Sequence, residues 1–126
     1  MEIDPRLVEG KYYFAMVGES QLMALTSYLD SIVAIFREGE GLTVVVAEDA
    51  KDDVAGLSAE KLRGPFALIT LGAQTDLYMV GLLAKITGAL AEEKIAVNAF
   101  SAYHHDHLFV PFERKEDAVR ALEKLG

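Results

Sequence analysis

Three histidines and one aspartate fall in four consecutive positions: His104, His105, Asp106 and His107, within the stretch AYHHDHLFV from Ala102 to Val110. These are all the histidines of the chain. Imidazole with carboxylate is a workable Zn²⁺ or Ni²⁺ ligand set, and His105 and His107, two apart, share a face of a regular strand. Local geometry supplies two or three ligands, and no distant H-x-x-x-H or second carboxylate cluster completes a shell. Histidine is also the natural acid or base near neutral pH. Its nucleophile would have to be Ser101 or Thr75, and no G-x-S-x-G elbow or phosphate-binding loop positions one. The plainest reading is a solvated hairpin tip with Asp106 as its turn residue, because aspartate bonds nearby backbone in turns. On this ground the chain is expected to be no enzyme and to carry no resident metal or cofactor. The acidic group Glu48, Asp49, Asp52 and Asp53 reads as a solvated helix face.

A second stretch, LGAQTDLYMVGLLAKITGALAEEKIAVNAFS, offers binding chemistry instead. An apolar run ends at Gly72, and Ala73-Gln74-Thr75-Asp76 leads into a helical pattern. Free N–H groups at a helix start can hold a carboxylate, while Gln74 or Asp76 can face an ammonium. That pairing suits an α-amino acid, although helix capping alone would account for Thr75 and Asp76. Gly81 within the pattern costs roughly 1 kcal/mol against alanine, which a close backbone approach would justify. Asn98 interrupts an apolar run and needs a partner if it faces inward.

The elements that must position these residues follow from periodicity. FALITLG (Phe66 to Gly72) reads as a strand. Asp76 to Lys94 reads as a helix, with Leu77, Val80, Leu83, Ile86, Leu90 and Ala91 on one face. Ile95 to Tyr103 and His107 to Phe112 read as strands, and Lys115 to Leu125 as a helix with Ala118, Val119 and Leu122 inward. The first half runs in the same order. Tyr12 to Gly18 is a strand, Ser20 to Leu29 a short helix or helical turn, and Ile32 to Phe36 and Leu42 to Ala47 are strands. Glu38-Gly39-Glu40-Gly41 supplies the turn between that pair, and EDAKDDVAGL is a short helix. Its first crossover is about ten residues shorter.

The chain is therefore expected to be α+β and ferredoxin-like, two βαββα halves with antiparallel sheets, residues 1–60 and 61–126. Each half leaves a sheet edge open, which the other half or a second chain can cover. At 126 residues and 52% hydrophobic content the chain can bury a core. A net charge of −8 without basic tracts argues against nucleic acid and against anionic membrane as partners. Cysteine is absent, the N-terminus MEIDPRLVEG is charged rather than signal-like, and no apolar run reaches the ~18 residues a bilayer span needs. A cytoplasmic location is the expectation.

Asp76 to Asn98 resembles the signature of ACT domains: an acidic residue, a glycine a few positions on, an apolar helix, then an I-x-V strand. FREGEGLTVVV and YHHDHLFVP are together similar to a more specific group, the stand-alone tandem ACT-domain proteins. The resemblance runs from about Gly10 to Leu125. It implies ACT-like halves, a homodimer, and a small-molecule effector, commonly an amino acid, bound between two such units. Carried over by position, it implies contacts from Gln74, Thr75, Asp76, Leu77, Val80, Gly81 and Asn98. The first half departs from the pattern, with a short crossover after Gly18, and is a degenerate copy in this reading. Together these give a regulatory amino-acid-binding module, acting on a possible separate protein partner. An effector-free interaction module and a metal site at the histidine hairpin are the alternatives.

Overall fold

The computed structural model describes residues 2–126. Fourteen segments follow in βαββα–βαββα order. Strand β1 (Pro5–Val17) leads through short helical turns and α1 (Leu22–Leu25) to β2 (Ile32–Glu38) and β3 (Gly41–Ala47), then to α2 (Lys51–Ala55). Strand β4 (Arg63–Leu71) leads to α3 (Leu82–Glu92), β5 (Asn98–Ser101), β6 (Asp106–Pro111) and α4 (Lys115–Glu123). The α+β, ferredoxin-like expectation matches this architecture.

The chain forms two compact units. One is Gly10–Pro65, with strand order β2-β3-β1. Both neighbours of β3 are antiparallel to it, from Tyr12↔Ala47 to Val17↔Leu42 on one side and Ile32↔Val46 to Glu38↔Gly41 on the other. As the central strand β3 is buried along most of its length, which is why GLTVVVA reads as one apolar run. Val17, Leu25, Leu42, Val44, Val46 and Val54 form the core of this unit. Gly41, at φ +146°, closes the β2–β3 turn; a Cβ there would come within 2.8 Å of the Val17 carbonyl, so only glycine fits.

The other unit is Phe66–Gly126 together with the segment that ends at Glu9. Its strand order is β4-β6-β5, again antiparallel. The core holds Ile69, Leu71, Ile86, Leu90, Leu108, Val110, Ala118 and Leu122. Ile86 and Leu90, four apart, face it from α3, and Ala118, Ala121 and Leu122 from α4. Arg114 ties the far end of α3 down: its guanidinium donates to the Glu93 carbonyl at 3.2 Å, a favourable place for a cation. A division at residue 60 leaves out one exchange. Residues near the start of the chain pack with this unit: Ile3 is 2% exposed in its core, the Ile3 N–H donates to the Gly126 carbonyl at 2.8 Å, and the Gly72 N–H donates to that of Asp4 at 2.7 Å. Those residues are too few to fold alone, and the apolar Ile3 is buried where the open backbone of Gly72 and Ala73 accepts them.

Several element boundaries differ from the sequence expectation. Helix α3 begins at Leu82 rather than Asp76. Leu77 and Val80 accordingly stand exposed on a loop, not on a helix face, and Ala91 is exposed as well. Apolar side chains at helical spacing do not suffice where backbone partners draw the chain away. Strand β5 is four residues long rather than nine. Asp106 is no turn residue: the turn is closed by the Ala102 N–H donating to the His105 carbonyl at 3.0 Å, and Asp106 opens β6 opposite Ser101.

Candidate functional site

Between β4 and α3 the chain runs through an irregular loop, Gly72 to Gly81. Its backbone is held from two directions. The Ala73 N–H donates to the Ile3 carbonyl at 3.3 Å, and the Thr75 N–H donates to the His104 carbonyl at 2.9 Å. The β5–β6 hairpin adds side-chain bonds: His105 donates from Nδ1 to the Ala73 carbonyl at 3.2 Å, and the Gln74 amide donates to His104 Nδ1 at 2.9 Å. Asp76 Oδ1 accepts the Tyr78 N–H at 2.7 Å, an aspartate turn that bends the chain before the helix. Gly81 then holds φ +90° at the helix N-cap position. Nothing lies within 4 Å of where its Cβ would be. This glycine is therefore explained by its left-handed backbone, not by the close approach expected of it.

Thr75 and Asp76 do not cap α3; its N-cap is Gly81, with no side-chain capping bond. Capping therefore does not explain these residues. Instead Gln74, Thr75, Asp76, Leu77 and Tyr78 line one side of an open groove of about 570 Å³, and Tyr103 and His104 line the other. A smaller pocket of about 140 Å³ lies between the loop, the first turn of α3 and the end of the β5–β6 pair. Thr75, Asp76 and Leu77 line both spaces; Leu82, Leu83, Ser101 and Asp106 belong to the smaller one. Thr75 is 9% exposed and Asp106 6% exposed.

Of the seven residues carried over by position, Gln74, Thr75, Asp76 and Leu77 come together around the groove. Val80 projects into solvent at 95% exposure, Gly81 ends the loop, and Asn98 is exposed at the start of β5; none of these three lines either space. Tyr103, His104, Ser101 and Asp106 line the spaces and were not in that set. Their only signal in the sequence is the density of histidine around Asp106, and the pairing that brings them to Thr75 is a long-range one.

The metal alternative meets a direct obstacle. Among the described residues no three histidine, aspartate or glutamate side chains gather as a ligand group. The imidazoles are spread out, with His105 and His107 ring centroids 6.5 Å apart, and each Nδ1 has its own partner: Gln74, the Ala73 carbonyl and, for His107, the Thr70 hydroxyl at 2.9 Å. Burial holds the His107 pKa below the usual 6.5; His105 adds to the lowering and Asp106 opposes it. His104 and His105 thus brace the loop and His107 bonds strand β4, while Ala102, Tyr103 and His104 at the turn are exposed, as a solvated tip requires.

Comparison with known proteins agrees with this fold. Residues 64–124 match the ACT domain family. The chain is 39% identical to a Vibrio cholerae protein of unknown function, described as a possible transport protein, over 94% of this chain and 86% of that one, with a TM-score of 0.80. The regulatory subunit of aspartate kinase from Thermus flavus superposes with a TM-score of 0.76 at 14% identity, covering 98% of each chain. That of Thermus thermophilus, in its ligand-free form, gives 0.74 at 15%, covering 98% and 97%. At such identities the Thermus proteins show the fold alone. No curated protein matches the chain. The chain has the ACT fold, carries an ACT domain in its second half, and belongs to one family with the Vibrio protein. Among the described residues no helix is long and apolar enough to cross a membrane.

Proposed function

We propose that the chain is a non-catalytic regulatory module that binds a small molecule, an amino acid or a close relative, in the groove formed by the β4–α3 loop and the β5–β6 hairpin. One observation carries the reading: Gln74, Thr75 and Asp76 are free of helix-capping duty and line an open groove with polar and aromatic walls. An amide, a hydroxyl and a carboxylate in one short loop suit a small ligand with polar and charged ends. The fold shared with regulatory subunits of aspartate kinase supports a regulatory role.

In this reading the first unit is a degenerate ACT-like half, and the chain acts as a homodimer on a separate protein. Binding shifts a dimer or partner interface only through different affinity for its two states. The rival, an effector-free interaction module, requires side chains to fill the space around Asp76; the open groove favours the ligand reading. The test is a thermal melt of purified protein against the twenty amino acids, with size determination by light scattering. Stabilisation by one amino acid, lost in Asp76→Ala, is the expected result. A flat panel with unchanged oligomeric state returns the chain to the rival reading.

A further inference from the structure

We infer that Asp106 is the ammonium-recognition group of the smaller pocket, so that the ligand of this protein must carry a free amine, held apart from the side-chain contacts of the outer groove. The inference rests on the ligand-binding reading above and deepens it. It starts from a carboxyl that nothing in the fold accounts for. Asp106 opens β6 with its side chain on the same face as Leu108 and Val110, which belong to the core. It is 6% exposed, yet among the described residues no hydrogen bond or ion pair reaches its carboxylate. No side-chain oxygen or nitrogen among them is both fully enclosed and unbonded. The carboxylate therefore meets open space, and that space is the pocket it lines.

Burying an unpaired carboxylate is costly, and buried polar groups are almost always bonded. A strand position that faces the core and adjoins Leu108 would be filled at least cost by an apolar residue. The use of Asp106 lies in the pocket, where an entering cation can take the place of the water that reaches its carboxylate. The neighbours describe that cation. Asp76 is a second carboxylate in the lining, with Oδ1 already taken by Tyr78, and Thr75 and Ser101 add hydroxyls; no cationic side chain is present. Leu77, Met79, Leu82, Leu83 and Ala102 form the apolar remainder. Two acids, two hydroxyls and aliphatic walls select a compact cation with a hydrocarbon stem, which is an alkylammonium group. The first turn of α3 in the same lining has N–H groups without helical acceptors, which suit the carboxylate of an α-amino acid. A volume of about 140 Å³ admits such a head group. The residues common to both spaces, Thr75, Asp76 and Leu77, let the rest of the ligand pass into the outer groove.

The test is calorimetric titration of the full chain and of Asp106→Asn. The probes are the twenty L-amino acids, their N-acetyl derivatives, n-butylamine and isobutyrate. An amine–carboxylate bond of this kind predicts a loss of roughly 10- to 100-fold in Asp106→Asn, and at least as much on N-acetylation with the unchanged protein. Should an amino acid bind with its N-acetyl form equally tight, or with affinity unchanged in Asp106→Asn, the inference is overturned while the amino-acid reading stands. Should n-butylamine bind and no amino acid do so, the inference stands and the amino-acid reading falls. Silence from every probe overturns both. If Asp106→Asn does not fold, the N-acetyl comparison on the unaltered chain still decides.

Discussion

The backbone N–H of Thr75 donates to the carbonyl of His104 at 2.9 Å, and through that bond the turn of the β5–β6 hairpin holds the loop that leads into α3. The bond puts the two chemically rich stretches of the sequence on one site. It also sets the stiffness of the groove, since the rest of the loop from Leu77 to Val80 is largely exposed. Amide hydrogen exchange should therefore divide the loop. Thr75 is expected to exchange far more slowly than Leu77 and Val80, and His104→Ala, which removes the bond from Gln74, should narrow the difference. Equal exchange across the loop would mean that the hairpin does not brace it.

Ligand contacts are expected to follow the lining rather than the position of residues in the family pattern. Thr75→Val and Asp76→Ala should each weaken binding by about 10-fold or more, the usual effect of deleting a polar partner. Val80→Ala and Asn98→Ala should leave affinity unchanged, because neither residue reaches the groove. At a hundred times its dissociation constant a ligand stabilises by about 2.7 kcal/mol, a shift of several degrees at this chain length. Thermal melts of the four variants with one ligand distinguish the cases directly.

Stability should depend on pH through His107. Its folded pKa lies below the unfolded value of 6.5, chiefly from burial and then from His105. In the window between the two values the unfolded chain holds the extra proton. Stability is then fully present above the unfolded pKa and is lost as pH falls through it toward the folded one. The melting temperature should drop as the pH falls through the unfolded value of 6.5, by less in His107→Asn than in the wild type. His105→Gln removes one cause of the lowering and should reduce the drop in part. Parallel curves for all three proteins would remove His107 from the account.

Gly81 turns the loop into α3 at φ +90°, with open space around it. Gly81→Ala meets no clash, so its cost is that of the left-handed backbone, about 1–2 kcal/mol. Urea unfolding should show that loss with an unchanged slope. A neutral or stabilising result would show that the loop takes another path.

The buried carboxylate makes one further prediction. With no ligand bound, Asp106→Asn replaces a carboxylate that meets only the pocket with a neutral amide of the same shape and should not lower the melting temperature. The wild type should overtake the variant once a ligand amine is added. A variant less stable than the wild type without ligand would indicate that Asp106 serves the fold.

The sequence by itself determined the order of elements, the antiparallel α+β class and, in the second half, the helix positions Ile86, Leu90, Ala118 and Leu122 that reach the core. These depend on local periodicity: GLTVVVA can only be a covered strand, and Ile86 and Leu90 lie one helical turn apart. It also singled out the loop at Gln74, Thr75 and Asp76. It could not show where α3 begins. The apolar spacing of Leu77 and Val80 extends the helical pattern back to Asp76, while long-range bonds to Ile3 and His104, the Asp76–Tyr78 turn and the φ of Gly81 hold that segment out of the helix. Only the tertiary structure decided the role of AYHHDHLFV. A hairpin tip is solvated or buried according to what packs on it, and the register Ser101↔Asp106 with Thr70↔His107 brings it against the β4–α3 loop. In the same way Asp106 changed from a turn residue to a buried carboxylate facing a pocket. That difference comes from pairing between strands distant in sequence, which local patterns do not encode.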